Sequence, residues 1–181
     1  MIANPVQEPL SLTLEALLAA KERRAVCQQT LMSRHGVALV SLTLVTPGPI
    51  KDTPLYRQAM VEAQHQFTAL CRQHNWSIWE KQEFWPETGA ESLWAVAANA
   101  LTIKTATTLL EEQHALGRLW DFDVFCPREG LIGRSKLGQP GRRCFVWDEP
   151  AHACSRSRRH PLPELLARIE GTLHDYFNQP G

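Results

Sequence analysis

The stretch HALGRLWDFDVF, His114–Phe125, contains the clearest strand pattern in the chain. Side chains alternate between the two faces of a strand, so Trp120, Phe122 and Val124 would share one face and the two aspartates between them the other. The apolar face predicts burial against a core. We therefore expect a strand over residues 119–125.

The helices and strands before and after this strand are predicted from hydrophobic periodicity and from turn residues. We predict helices over about 11–33, 53–74, 101–115 and 163–177, and strands over 37–45, 76–84, 91–97 and 131–137, the last pairing with 119–125. After the first helix the order is β-α-β-β-α-β-β-α, which is typical of a split β-α-β plan. The predicted class is α+β: one domain over 1–181 with an antiparallel-rich mixed sheet, helices on one face, flanking helices at both ends, a flexible 1–10 and a tail at 178–181.

Composition narrows the class of protein. The 181 residues include 19 Lys or Arg and 19 Asp or Glu, so the net charge is zero. This balance argues against a nucleic-acid coat or a membrane-surface protein, which carry a basic excess. Hydrophobic residues at 44% and charged residues at 21% are typical of a folded globular protein. The start, MIANPVQEPL, lacks a signal-peptide pattern, and we predict a cytoplasmic protein without a membrane or nucleic-acid partner.

Asp121 and Asp123 are the first candidates for chemistry. Both would project from one strand face, about 7 Å apart. Two carboxylates on one face repel each other unless a cation neutralises them, and Mg²⁺ is the cation that such oxygen ligands suit. A metal bound there could support phosphoryl or nucleotidyl transfer. The alternative is the solvated face of a partly exposed strand.

Basic residues lie close to this pair in sequence. Gly117 and Arg118 precede it, and residues 134–160 contain seven basic residues against two acidic ones. Guanidinium groups bind phosphate in a bidentate manner, so the combination indicates a polyphosphate substrate. For the run 156–159 a solvated helix face or turn is the favoured interpretation.

Two further positions have alternative interpretations. The loop Thr46–Asp52 precedes a predicted helix N-terminus, where backbone N–H groups favour an anion and Lys51 adds a positive charge. A structural capping turn on Asp52 or Thr53 is an equal alternative. His114 could act as a general base for a hydroxyl or interact with the end of a helix. No motif for a nucleophile is present.

The five cysteines form no CxxC pair. Cys144, Cys154 and His160 come nearest to a metal cluster, but a zinc site needs a fourth ligand. Trp147 stands where a CxxC partner of Cys144 would be. We therefore expect small thiols that are buried or half-buried.

Three blocks show a resemblance to a known family: VALVSLTLVTPGPIKD from residue 37, HxLGRLWDFDV from 114, and RRCFVWxxxxxxCxRxxxH over 142–160. From about residue 34 to 177 the chain resembles the citrate lyase holo-acyl-carrier-protein synthases, also called apo-citrate lyase phosphoribosyl-dephospho-CoA transferases. Many members have a cysteine where this chain has Trp147, which argues further against a metal role for Cys144.

The resemblance implies an enzyme that transfers the 2'-(5''-phosphoribosyl)-3'-dephospho-CoA group from its 5''-triphosphate precursor, 2'-(5''-triphosphoribosyl)-3'-dephospho-CoA. The acceptor is a serine of the acyl carrier (gamma) subunit of citrate lyase, and pyrophosphate leaves. On this hypothesis Asp121 and Asp123 hold Mg²⁺ and activate the attacking oxygen, with His114 as a further catalytic candidate. The triphosphate-binding candidates are Lys51, Gly117, Arg118, Arg142 and Arg143.

Several alternatives stay open at this stage. A third metal ligand could be Asp52, Glu83, Asp148 or Glu149. The acidic carrier could dock on Arg156, Arg158 and Arg159 or on the run 21–24. Other possible functions are a non-catalytic module that binds an acyl carrier or RNA, and another metal-dependent nucleotidyltransferase or nuclease.

Overall fold

The computed structural model describes residues 12–178, in which a five-stranded sheet is surrounded by helices. The helices are α1 (Leu14–His35), α2 (Pro54–Gln73), α3 (Ala100–Gln113), α4 (Ala151–Ser157) and α5 (Leu162–Phe177). The strands are β1 (Ala38–Leu44), β2 (Ser77–Phe84), β3 (Glu91–Ala97), β4 (Trp120–Cys126) and β5 (Gly130–Ile132). None of the described helices is long and apolar enough to cross a membrane. The predictions for residues 1–10 and 179–181 lie outside the described residues.

The sheet has the order β2-β3-β1-β4-β5, and every neighbouring pair in it is antiparallel. β1 lies at the centre, and Val40 is in register with Val124 of β4 and with Trp94 of β3. Its branched residues are buried on both faces, as expected for the middle strand of a covered sheet. The α+β class and the split β-α-β order are confirmed.

The alternation of side chains divides the core into two layers. Val40 and Leu42 face the main core, which is closed by α2, α3 and α5. Leu39 points the other way and packs with Leu31 of α1 and with Leu93. The prediction that all helices pack on one face is therefore wrong for α1, which covers the opposite face.

After β4, one predicted strand is wrong over most of its length, and one short helix is absent from the predictions. The strand predicted over 131–137 stops at Ile132, and Arg134–Leu137 forms a 3₁₀ turn instead. This turn ends at Gly138, whose φ of 64° suits glycine, and ion pairs hold Arg134 and Lys136. The short helix α4 was not predicted, because only Cys154 in it is buried and seven residues leave no helical stripe to detect.

Candidate active site

Strand β4 places the two predicted aspartates on one face of the sheet. Trp120 and Phe122 point into the main core, so Asp121 and Asp123 point toward the side of the sheet that α1 covers. Their neighbours across β1 are Thr43 and Ser41, respectively. The sequence prediction of a shared carboxylate face is consistent with this placement.

The two carboxylates have different surroundings. Asp121 is 38% exposed and accepts a hydrogen bond from Nη2 of Arg142 at 2.5 Å. Asp123 forms no ion pair with any described residue. Burial, followed by the charge of Asp121, raises the pKa of Asp123 to about 6. A carboxylate with such a pKa can take up a proton near neutral pH.

A pair of buried charges on α3 completes the cluster. Oε1 of Glu111 accepts hydrogen bonds from the Phe122 N–H at 2.8 Å and from Arg142 at 2.9 Å, and Oε2 accepts one from Arg134 at 2.6 Å. Nζ of Lys104 donates to the Phe122 carbonyl at 2.6 Å. Burial lowers the pKa of this lysine, although Glu111 opposes the shift. Glu111 thus joins a strand, a helix and two arginines.

Sequence reasoning missed Lys104 and Glu111, although a signal was present. Polar residues follow the core-facing stripe of α3 at helical spacing, and all of them are buried: Lys104, Thr107, Thr108 and Glu111. Threonines reduce helix propensity, but Thr107 and Thr108 are fully buried here. Charged residues on a stripe that should be apolar indicate a buried partner.

Five of the predicted site residues line one cavity of about 530 Å³: His114, Gly117, Arg118, Arg142 and Arg143. Arg142 also lines a second cavity of about 750 Å³, together with Arg118. Because Arg142 bonds Asp121, the carboxylate face and the basic cavities meet at this guanidinium. The structure thus brings most of the predicted site together.

Arg118 is the most unusual cation of the group. Its Nε donates to the Arg143 carbonyl, and its guanidinium lies 4.1 Å from the centre of the Phe145 ring. Nη1 is buried and has no hydrogen-bond partner in the described structure. Burial and then the neighbouring Arg142 lower the pKa of Arg118 to about 10. A buried guanidinium donor without an acceptor can receive an anionic oxygen.

The other two arginines are already partnered. Arg142 donates to the Trp120 carbonyl at 2.9 Å as well as to its two carboxylates. Arg143 pairs at the surface with Asp148. Their predicted roles in binding triphosphate stay predictions, and binding would require these partners to be shared or exchanged.

His114 ends α3, as the alternative interpretation expected. Its Nδ1 accepts the Leu116 N–H at 3.0 Å, so its proton lies on Nε2, which is 3.3 Å from the Tyr176 hydroxyl. The ring stacks on Trp120 with a 4.3 Å separation of centres. Burial lowers the pKa of His114, opposed by Glu62. Both ring nitrogens and one ring face of His114 thus have partners within the protein. The catalytic role of His114 stays a prediction.

Lys51 does not line the cavity of Arg118. It lines a separate cavity of about 170 Å³ between α1 and the sheet, with Thr43 and Glu91. Its Nζ donates to the Thr46 carbonyl, and burial lowers its pKa. The adjoining helix N-terminus is capped by Thr53, whose Oγ1 accepts the Tyr56 N–H at 3.1 Å. The capping function expected for this loop is therefore present.

None of the four candidates for a third metal ligand contacts the aspartate pair in the described structure. Each forms an ion pair elsewhere: Asp52, Glu83, Asp148 and Glu149. The carboxylate joined to Asp121 through Arg142 is instead Glu111. Asp121 and Asp123 fit Mg²⁺ by donor type, because both offer carboxylate oxygens and Asp123 has no cation of its own.

Gly117 has a steric role that supports the site. A Cβ built on it would lie 2.4 Å from the Glu111 carbonyl oxygen, closer than real contacts allow. We expect Gly117→Ala to lower the free energy of unfolding by about 2 kcal/mol or more, because the end of α3 must shift. Denaturant unfolding measures this. Gly141→Ala is the matched control, since no atom lies within 4 Å of its Cβ position. Equal stability of both variants would contradict this packing.

Comparison with known proteins identifies the family of this chain. The profile of the family described as apo-citrate lyase phosphoribosyl-dephospho-CoA transferase matches residues 12–176. A protein of that name from Citrobacter koseri is 37% identical over 165 residues, which cover 91% of this chain and 90% of that protein. Its namesake from Escherichia coli O1:K1 is 36% identical over the same shares. The chain therefore belongs to the apo-citrate lyase phosphoribosyl-dephospho-CoA transferase family.

Proposed function

We propose that this protein attaches the phosphoribosyl-dephospho-CoA group to apo-citrate lyase. The donor is 2'-(5''-triphosphoribosyl)-3'-dephospho-CoA, and the acceptor is a serine of the acyl carrier (gamma) subunit. Family membership supports the reaction. The observation that carries it to these residues is Arg118, which lines two cavities and whose buried Nη1 has no hydrogen-bond partner in the described structure.

The proposed step is a displacement at the α-phosphorus. The serine hydroxyl oxygen forms the new P–O bond, the bond from phosphorus to the bridging oxygen breaks, and pyrophosphate leaves. The nucleophile comes from the partner, which explains why this chain has no nucleophile motif. Asp123 accepts the hydroxyl proton on the carboxylate oxygen that it does not offer to a metal ion. Arg118 stabilises the charge that moves to the leaving group.

Asp121 and Asp123 would hold Mg²⁺. Bound there, the ion would supply charge neutralisation for the triphosphate and for the attacking oxygen. If Mg²⁺ binds, Arg142 shares Asp121 with it or gives it up. Glu111 and the Trp120 carbonyl retain Arg142 in either case.

For the carrier, we propose docking on the basic run at the C-terminal end of α4. Arg156, Arg158 and Arg159 are exposed, and Arg158 lines the same 750 Å³ cavity as Arg118. Ion pairs do not distinguish the two runs, because Arg24 is paired with Glu91 and Arg159 with Glu149. The proposal rests on the cavity that Arg158 shares with Arg118. All five cysteines are free thiols, which fits a reducing cytoplasm.

Arg118 provides the next prediction. We expect Arg118→Ala to raise KM for the triphosphate precursor and to lower kcat/KM by about 100-fold or more, because a desolvated charge-assisted contact is lost. Arg118→Lys should restore only part of the activity. Steady-state transfer assays measure both constants. Exposed Arg128→Ala is the control, and an Arg118→Ala variant with control-like kinetics would contradict the assignment.

Intact mass spectrometry tests the proposed function as a whole. Apo acyl carrier subunit is incubated with this protein, the triphosphate precursor and Mg²⁺. The expected result is a mass gain of one prosthetic group on the carrier serine, with one pyrophosphate released per group. No gain under conditions in which another family member works would refute the proposal. Modification of RNA or another nucleotide acceptor instead would favour a different nucleotidyltransferase.

A further inference from the structure

Three potential metal ligands come together in the wall of the 750 Å³ cavity. One ligand atom each of Cys144, Cys154 and His160 lies within 4.8 Å of the others. An antiparallel bridge between Arg143 and Pro150 turns the chain back, so that Cys144 returns toward α4. The Cys144 N–H donates to the Glu149 carbonyl at 2.8 Å, which fixes this turn. The backbone thus brings the cluster together.

One ring nitrogen of His160 is buried without a hydrogen-bond partner in the described structure. The His160 side chain is only 4% exposed, and the nitrogen without a partner is Nε2. Nδ1 lies 3.6 Å from a carboxylate oxygen of Glu164. A buried polar nitrogen without a partner is costly. Histidines that bind metals commonly have their second nitrogen beside a carboxylate, as here.

The thiols of Cys144 and Cys154 are partly or fully shielded from solvent, as the ligands of a bound metal ion usually are. Cys154 is buried on α4, and Cys144 is half-buried. Sγ of Cys144 accepts the Val146 N–H at 3.5 Å, a contact of the kind that supports a thiolate ligand. Trp147 packs edge-on against the His160 ring with centres 4.6 Å apart, and so shields the cluster.

We propose that Sγ of Cys144, Sγ of Cys154 and Nε2 of His160 bind one zinc ion. Two sulfur donors and one imidazole match Zn²⁺ and do not match Mg²⁺ or Ca²⁺. All three residues line the 750 Å³ cavity, so the fourth tetrahedral position is filled by water from that cavity. The objection from the sequence was the missing fourth ligand, since Trp147 stands where a CxxC partner of Cys144 would be. An open position removes it, because three-ligand zinc sites hold water as the fourth ligand.

The metal has a consequence for the active site. A bound zinc ion would connect Cys144 and Cys154 to His160, which lies just before α5. The same turn carries Arg142 and Arg143, whose carbonyl receives Arg118. Metal binding would therefore stabilise the wall of the basic cavities, since metal affinity adds to folding free energy when the unfolded chain lacks the site.

The test uses the full-length chain, purified with reduced thiols and without metal. Titration with Co²⁺ alone should give sulfur-to-cobalt charge-transfer bands and tetrahedral d–d bands at one equivalent, and Zn²⁺ should remove them. Native mass spectrometry should show one zinc per chain. Zn²⁺ should also raise the unfolding temperature. Spectra of this kind report thiolate ligation directly and do not depend on transfer activity.

Variants assign the ligands. Cys154→Ser and His160→Gln should each weaken Zn²⁺ binding by about 100-fold or more, and Glu164→Gln by about 10-fold, the scale of a supporting carboxylate. Cys27 is a half-buried thiol on α1, outside the cluster. The Cys27→Ser variant should bind Zn²⁺ as tightly as the unchanged chain. Glu164 is exposed, so this variant tests the site even if a ligand variant unfolds.

Three outcomes would overturn the proposal. The first is no tetrahedral cobalt spectrum from the reduced, folded chain. The second is undiminished zinc binding by a folded Cys144→Ser, Cys154→Ser double variant. The third is a Cys144–Cys154 disulfide, two hydrogens lighter by mass, that persists under reductant that keeps the other thiols free. Failure of carrier modification with intact zinc binding would refute the proposed function alone.

Discussion

Replacing Asp123 with asparagine is expected to lower the rate of prosthetic-group transfer by about 1,000-fold or more while leaving the fold intact. Loss of a general base costs about 100- to 10,000-fold, and the variant also loses a ligand for Mg²⁺. Asparagine keeps the shape of the side chain. Intact mass of the carrier over time measures the rate, and circular dichroism verifies folding.

The matched control is Asp175→Asn, which removes an exposed carboxylate on α5. It should change transfer by no more than a few-fold. An Asp123→Asn variant that transfers at the control rate would remove Asp123 from the mechanism. A non-catalytic carrier-binding module would also show that result.

Asp123→Asn is expected to raise the stability of the fold at high pH, although it lowers the rate of transfer. Folding raises the pKa of Asp123 from 3.8 to about 6, so the folded chain binds this proton more tightly than the unfolded chain does. Stability from this group is therefore present below pH 3.8 and is lost as the pH rises through about 6. Without metal, Asp123→Asn should be more stable at pH 8 by up to roughly 3 kcal/mol, with little difference at pH 4. Denaturant unfolding at both pH values in chelator measures this, and equal stabilities at pH 8 would contradict the burial of the charge.

Replacing Glu111 with alanine is expected to cause the largest loss of stability, about 3 to 5 kcal/mol. The Glu111 side chain is 2% exposed and accepts from two arginines and from one backbone N–H. Removing it leaves Arg142 beside Lys104 in a low-dielectric environment with less compensating charge. Chemical denaturation gives the free energy of unfolding.

Glu112→Ala is the neighbouring control on the same helix. Glu112 also pairs with Arg134, but its side chain is 45% exposed, so the expected loss is below about 1 kcal/mol. Glu111→Gln should fall between the two, because its amide keeps one acceptor. If both alanine variants are equally stable, the buried network does not hold the site.

Much of the fold follows from local pattern. The strands over 37–45, 76–84, 91–97 and 119–125 are each predicted by apolar or alternating residues, and all four are present. The strand predicted over 131–137 is wrong where ion pairs and a glycine override strand propensity, as in the turn at Arg134. The helix α4 was missed because it is too short to show a period.

The sequence predicts those features of the candidate site that depend on a single element, and it misses those that depend on contacts between elements. The spacing of Asp121 and Asp123 follows from strand geometry, which acts within a single element. Lys104 and Glu111 act across elements, through the backbone of Phe122, and nothing in the sequence specifies that contact. The sequence groups Cys144, Cys154 and His160 as a candidate cluster, but spacing alone does not reveal the chain reversal that brings Cys144 back toward α4.

The short length of β5 has a consequence for association between molecules. β5 pairs only with residues 124–126, so the outer backbone groups of β4 around Phe122 face no strand. Side chains of Lys104, Glu111 and Arg142 occupy these donors and acceptors instead. An unprotected sheet edge is a template onto which a strand of another molecule can add. The charged cluster therefore also serves as a guard against edge-to-edge aggregation, at the same place where the chemistry is proposed to occur.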